Sequence, residues 1–107
     1  MKYSINIFKT TSGKLPFKKW LDALSDMRAR VAIELRIDRL IIGDLGKSKF
    51  LGDGLHELKI DIGPGYRVYF GIIGQRLILL LCAGDKKTQQ RDIIKAKEYL
   101  KDYKMRG

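Results

Sequence analysis

From Leu55 to Thr88 the hydrophobic pattern gives three strand-like runs joined by tight turns, and those runs define the elements. Leu58, Ile60 and Ile62 alternate with Glu57, Lys59 and Asp61, the period-2 pattern of a strand with one buried face. Gly63-Pro64-Gly65 then turns the chain, since Pro64 fixes its own φ between two residues that tolerate positive φ. Tyr66 to Ile73 reads as a second strand, with Arg67 and Tyr69 on one face and Tyr66, Val68 and Phe70 on the other. A tight connection at Gly74-Gln75 suits a hairpin. Leu77 to Cys82 is apolar without alternation, which predicts a strand covered on both faces at the centre of the sheet.

The flanking segments switch to helical spacing. Tyr3, Ile5 and Ile7 alternate in a first strand ending near Lys9, and Thr10 to Gly13 is a loop. Pro16 opens a short helix whose Phe17, Trp20, Leu21 and Leu24 follow the i, i+3, i+4, i+7 rule. Ser25 or Asp26 caps a longer helix with Ile33, Ile37, Leu40 and Ile41 as its buried stripe, ending at Gly43. Gly46 to Gly54 is expected to be a mobile loop. A last helix is predicted from Lys87 or Thr88 to about Tyr103, burying Ile93, Ala96, Leu100 and Tyr103. The order β-α-α-β-β-β-α, in a single domain spanning residues 1–107, predicts an α+β fold on an antiparallel sheet.

Charge changes this picture from a fold to a surface. The 107 residues carry 22 basic and 12 acidic side chains, a formal charge of +10, which favours a polyanionic or acidic partner. Lys59, Arg67 and the Lys86-Lys87 exit from the last strand would meet on one surface if the strands pair. Arg28, Arg30, Arg36 and Arg39 decorate the long helix with Glu34 and Asp38 among them, a solvated face or a contact for RNA or an acidic segment. The only histidine is His56 and nothing near it resembles a nucleophile turn, which argues against a Ser-His-Asp triad, while a lone cysteine, Cys82, excludes a disulfide within the chain and a cysteine-based zinc site. No metal ligand set and no cofactor are expected. The absence of a long apolar run or a signal-peptide core points away from membranes and to the cytoplasm.

A cation cluster can break RNA. The ribose 2′-OH attacks the adjacent phosphate once a base takes its proton and an acid protonates the leaving 5′ oxygen. A guanidinium fork suits the charge that builds on the phosphorane. A lysine set among other cations exchanges protons nearer neutral pH. Plain phosphate binding would use the same residues.

The runs DGLHELKIDIGPGYRVYF and LILLLCAGDKKTQQRDI, with KLPFKKWLDAL upstream, closely resemble the addiction-module killer proteins, HigB-like members of the RelE/ParE toxin superfamily. The likeness covers nearly the whole chain. It implies a RelE-like toxin fold and the toxin half of a type II toxin–antitoxin pair, an endoribonuclease that cuts mRNA on the ribosome. By that resemblance Arg67 corresponds to the phosphate-stabilising arginine, and Lys86 or Lys87 to a second basic residue of the site. Lys59 falls near a strand lysine that acts as base or phosphate contact. The C-terminal-helix tyrosine of RelE proper has no counterpart where Arg91, Asp92 and Ile93 stand, so Tyr69 or Gln90 is expected to contact the RNA base. Arg91, Lys47 and Lys49 are expected along the RNA path. The implied partner is a cognate antitoxin of helix-turn-helix type, with operator DNA bound only through the complex. Two other readings stand beside this one: a ParE-like inhibitor of DNA gyrase, and a catalytically silent module that binds RNA or the antitoxin.

Overall fold

The computed structural model describes residues 2–106. Its elements are β1 (Ser4–Ile7), α1 (Pro16–Ala23), α2 (Met27–Ile41), β2 (Ser48–Gly52), β3 (Leu55–Ile60), β4 (Tyr66–Ile73), β5 (Leu77–Gly84) and α3 (Gln89–Met105). The strands form one sheet in the order β1-β5-β4-β3-β2. The fold is α+β, as the alternation of helical and strand periods predicts.

Local signals account for the boundaries. Pro16 opens α1 where its missing N–H costs nothing. The Asp26 carboxylate caps α2, accepting from the backbone N–H groups of Arg28 and Ala29 at 3.0 and 3.2 Å. Gly74 and Gln75 both lie at positive φ, as a primed hairpin turn requires, and join β4 to β5.

Two layers of side chains sandwich the sheet. On one face Phe17 of α1 and Ala29, Ile33 and Leu40 of α2 pack on Leu58, Ile60, Val68, Phe70 and Ile78. On the other, Ala96 and Leu100 of α3 pack on Leu55, Tyr69, Leu79 and Leu81. Each fully buried aliphatic or aromatic side chain contributes about 1.5–3 kcal/mol relative to exposure. Alternation along β4 therefore commits Val68 and Phe70 to one layer and Arg67 and Tyr69 to the other.

Three expectations need correction. The sheet is mixed, because β1 runs parallel to β5 while the other pairs are antiparallel. The stretch from Gly46 to Gly54 holds an edge strand, β2, so the order is β-α-α-β-β-β-β-α. An edge strand buries little, and Phe50 stays 62% exposed, which leaves no alternation to read. The middle of the sheet is β4; β5 is an interior strand beside it, covered on both faces.

Candidate functional site: a cation-lined cleft at the open end of the sheet

Helix α3 covers only part of its sheet face, and the residues beyond its N-terminus form the candidate site. Lys59 and Arg67 are direct cross-strand neighbours on β3 and β4, and Arg67 in turn pairs with Gly84 at the end of β5. The next residues after Gly84 form a turn in which the Asp85 carboxylate accepts from the backbone N–H groups of Lys87 and Thr88, at 2.9 and 3.2 Å. That turn delivers Lys86 to the same place. Lys59, Arg67 and Lys86 line one cleft of about 380 Å³, walled by Asp61, Ile62 and the Gly63-Pro64-Gly65 turn.

The three cations differ in their freedom. Lys59 and Lys86 are exposed, whereas the Arg67 side chain is only 8% exposed. One Arg67 Nη donates to the Gly65 carbonyl at 2.8 Å. Its Nε is buried and has no hydrogen-bond partner. Asp61 offsets part of the positive field, with Lys47 Nζ at 2.6 Å and Lys59 Nζ at 3.4 Å. The Lys47 hydrogen bond holds the Asp61 carboxyl below the usual carboxylate range, with the charges of Lys47 and Lys59 adding to it.

Behind the cleft lies a carboxylate that sequence reasoning missed. Glu57, 6% exposed, accepts on Oε2 from the Tyr69 hydroxyl at 3.0 Å and from Gln89 Nε2 at 2.9 Å. The same oxygen sits 3.8 Å from Arg67 Nε. Glu57 thus ties β3, β4 and the first turn of α3 together behind the arginine. Its place in the charged half of the β3 alternation was visible; its burial depends on register with Tyr69 and on where α3 begins.

The remaining predicted site residues are dispersed. Tyr69, expected at the RNA base, is fully buried under α3, so it braces Glu57 and does not reach a ligand. Burial and the Glu57 carboxylate raise its hydroxyl well above the ordinary phenol range. Gln90 is exposed on α3, and its neighbour Gln89 makes the inward contact. Lys87 is exposed outside the lining of the cleft. Arg91 points to solvent beside Asp92, with Nε 3.8 Å from a carboxylate oxygen. Lys49 sits on β2 opposite Glu57, exposed at the sheet edge. Lys47 reaches the site only through Asp61.

Two titratable groups are structural. Burial, with the Asp92 carboxylate adding to it, pushes the Cys82 thiol up to about 12, which keeps it un-ionised and unreactive. His56 stacks on Phe70 and lies tilted against Phe50, with ring centroids at 5.2 and 5.1 Å, and does not line the cleft. Among the described residues no group of three or more His, Cys, Asp or Glu gathers at metal-binding distance, and no helix is long and apolar enough to cross a membrane.

Fold and cleft together define a small α+β protein that brings an arginine and two lysines to the lining of one cleft at one end of a mixed sheet. No family model matches the chain. It is 48% identical over 89 residues to an uncharacterized protein of Haemophilus influenzae, covering 83% of this chain and 87% of that protein, and it belongs to the same family.

Proposed function

We propose that this protein is a RelE-like toxin of a type II toxin–antitoxin pair and acts in the cytoplasm as an endoribonuclease on mRNA held by the ribosome. One observation carries the reading: the Arg67 guanidinium, whose buried Nε lies in ion-pair range of Glu57 but makes no hydrogen bond, borders a cleft shared with two exposed lysines. A buried donor without an acceptor is costly, about 1–3 kcal/mol. A phosphate oxygen entering the cleft would be met by the Nη end of the fork while Nε stays beside Glu57.

In the proposed reaction the 2′ oxygen forms a bond to phosphorus and the bond to the 5′ oxygen breaks. The 2′-OH proton passes to a general base and the 5′ oxygen takes a proton from a general acid, two transfers assigned to Lys59 and Lys86. The products are a 2′,3′-cyclic phosphate and a 5′-OH end. Arg67 stabilises the added charge on the phosphorane. No metal or cofactor is needed for this balance. A cognate antitoxin of helix-turn-helix type would cover the cleft with acidic or apolar groups, and operator DNA would be bound through that complex.

The test is induction of the chain in cells, with and without its neighbouring gene, while mapping mRNA 5′ ends. Lys59→Ala and Lys86→Ala serve as variants because both side chains are exposed. Cuts inside translated codons that vanish with either variant support the reading. Intact mRNA with broken DNA would replace it with gyrase inhibition. Intact mRNA and DNA with the antitoxin still bound would leave a silent binding module.

A further inference from the structure

We propose that the outward face of α2 is a homodimer interface, in which two copies pack their α2 helices antiparallel about a two-fold axis. The inference is independent of the nuclease reading. A helix face normally buries its apolar residues, yet α2 carries apolar residues on its solvent side too. Val31 is 53% exposed and Leu35 56%, with Met27 at 63% and Ile42 at 61% extending the ridge at its two ends. Exposed apolar ridges of this kind mark contact surfaces.

The spacing of this ridge is that of a helix seam. Arg28, Val31, Leu35, Asp38 and Ile42 recur at alternating intervals of three and four residues, while Ala29, Ile33 and Leu40 point into the chain's own core. The two charged seam positions are both exposed. Neither forms an ion pair within the chain among the described residues.

What selects a second copy as the occupant is the symmetry of the seam about Ile33. Val31 stands two residues before Ile33 and Leu35 two after; Arg28 stands five before and Asp38 five after. In an antiparallel pair with its axis at the level of Ile33, Val31 meets the partner's Leu35, and Arg28 meets the partner's Asp38. Each contact occurs twice, as an isologous interface requires. Met27 and Arg39 are likewise six residues to either side, so the thioether lies along the aliphatic stem of the partner's arginine. A strongly acidic partner would set a like charge against Asp38. This seam instead offers one charge of each sign, placed to satisfy itself. One helix pair buries on the order of 1,000 Å², which belongs to the weak, reversible class of interfaces.

The test is sedimentation equilibrium of the full chain from about 10 μM to about 1 mM, a range that brackets weak association. The parent chain is expected to pass from monomer to dimer within it. Arg28→Asp sets two carboxylates against each other and Asp38→Arg sets two guanidinium groups against each other, so each variant alone stays monomeric. An equimolar mixture of the two restores both ion pairs and gives a heterodimer, and the doubly exchanged chain dimerises with itself. Both positions are exposed, and far-UV circular dichroism confirms that each variant is folded. A parent chain that stays monomeric throughout overturns the proposal. So does a mixture that fails to associate, or single variants that dimerise as tightly as the parent.

Discussion

Glu57 and Arg67 sit on neighbouring strands with Oε2 3.8 Å from Nε, and both side chains are only 8% exposed. Neither charge is therefore free to change without the other. Removing one partner of a buried pair leaves the other uncompensated, at a cost of about 3–5 kcal/mol. Arg67→Ala should accordingly lower the urea midpoint of unfolding, and its loss of activity would mix two effects. Arg67→Lys separates them, because it keeps a positive charge near Glu57 and removes the planar fork. We expect it to retain most of the stability and to cut RNA cleavage by about 10²-fold or more. Denaturation curves and cleavage assays on the same samples check this; a fully active lysine variant would show that the fork has no part in the reaction.

Tyr69→Phe removes the hydroxyl that donates to Glu57 at 3.0 Å and leaves the ring packing in place. A hydrogen bond to a charged group contributes about 1.5–3 kcal/mol. The variant should lose stability in that range, read by chemical denaturation. Its affinity for single-stranded RNA should be unchanged, since the ring is sealed beneath α3. A large drop in affinity with stability intact would restore Tyr69 as a ligand contact.

These two cases mark where sequence reading stops. That Arg67 and Tyr69 share a face follows from the period of a strand, and β3 and β4 bring Lys59 beside Arg67 by ordinary hairpin pairing. The role of Glu57 depends on the register that sets it opposite Tyr69 and on Gln89 arriving from a helix 32 residues away in the chain. Nothing local encodes that meeting. The parallel contact of β1 with β5 is equally non-local, joining Ser4 to Leu77 across the whole chain. Edge strand β2 escapes notice because it has one neighbour and not one fully buried residue.

Gly84 links the sheet to the lysine turn, and its lack of a side chain is structural. A Cβ there would overlap the Asp92 carboxylate and come within 2.5 Å of Thr88 Oγ1. Thr88 and Asp92 are themselves hydrogen-bonded at 2.5 Å, and Asp92 is 8% exposed, so neither yields easily. Gly84→Ala should cost about 1–3 kcal/mol by overpacking. It should also shift the turn that carries Lys86. We expect cleavage to fall further than the loss of folded protein explains, measured at a temperature where the variant remains folded. Activity that simply tracks the folded fraction would sever Gly84 from the placement of Lys86.

His56 gives the fold an acid sensitivity separate from the cleft. Burial between Phe50 and Phe70 lowers its pKa below the ordinary 6.5. The unfolded chain therefore takes up a proton at a higher pH than the folded one does. Stability from this group is complete above about pH 6.5 and is lost as the pH falls below that value. The loss levels off once the pH lies under the folded pKa, where both states are protonated. The imidazole is only half-buried, so solvent limits the size of the effect. His56→Gln removes the titration, at some cost in stacking. Urea unfolding between about pH 7 and pH 5 should show the parent losing more stability than the variant over that interval. Curves that run parallel would mean that His56 is protonated as readily in the folded chain as in the unfolded one.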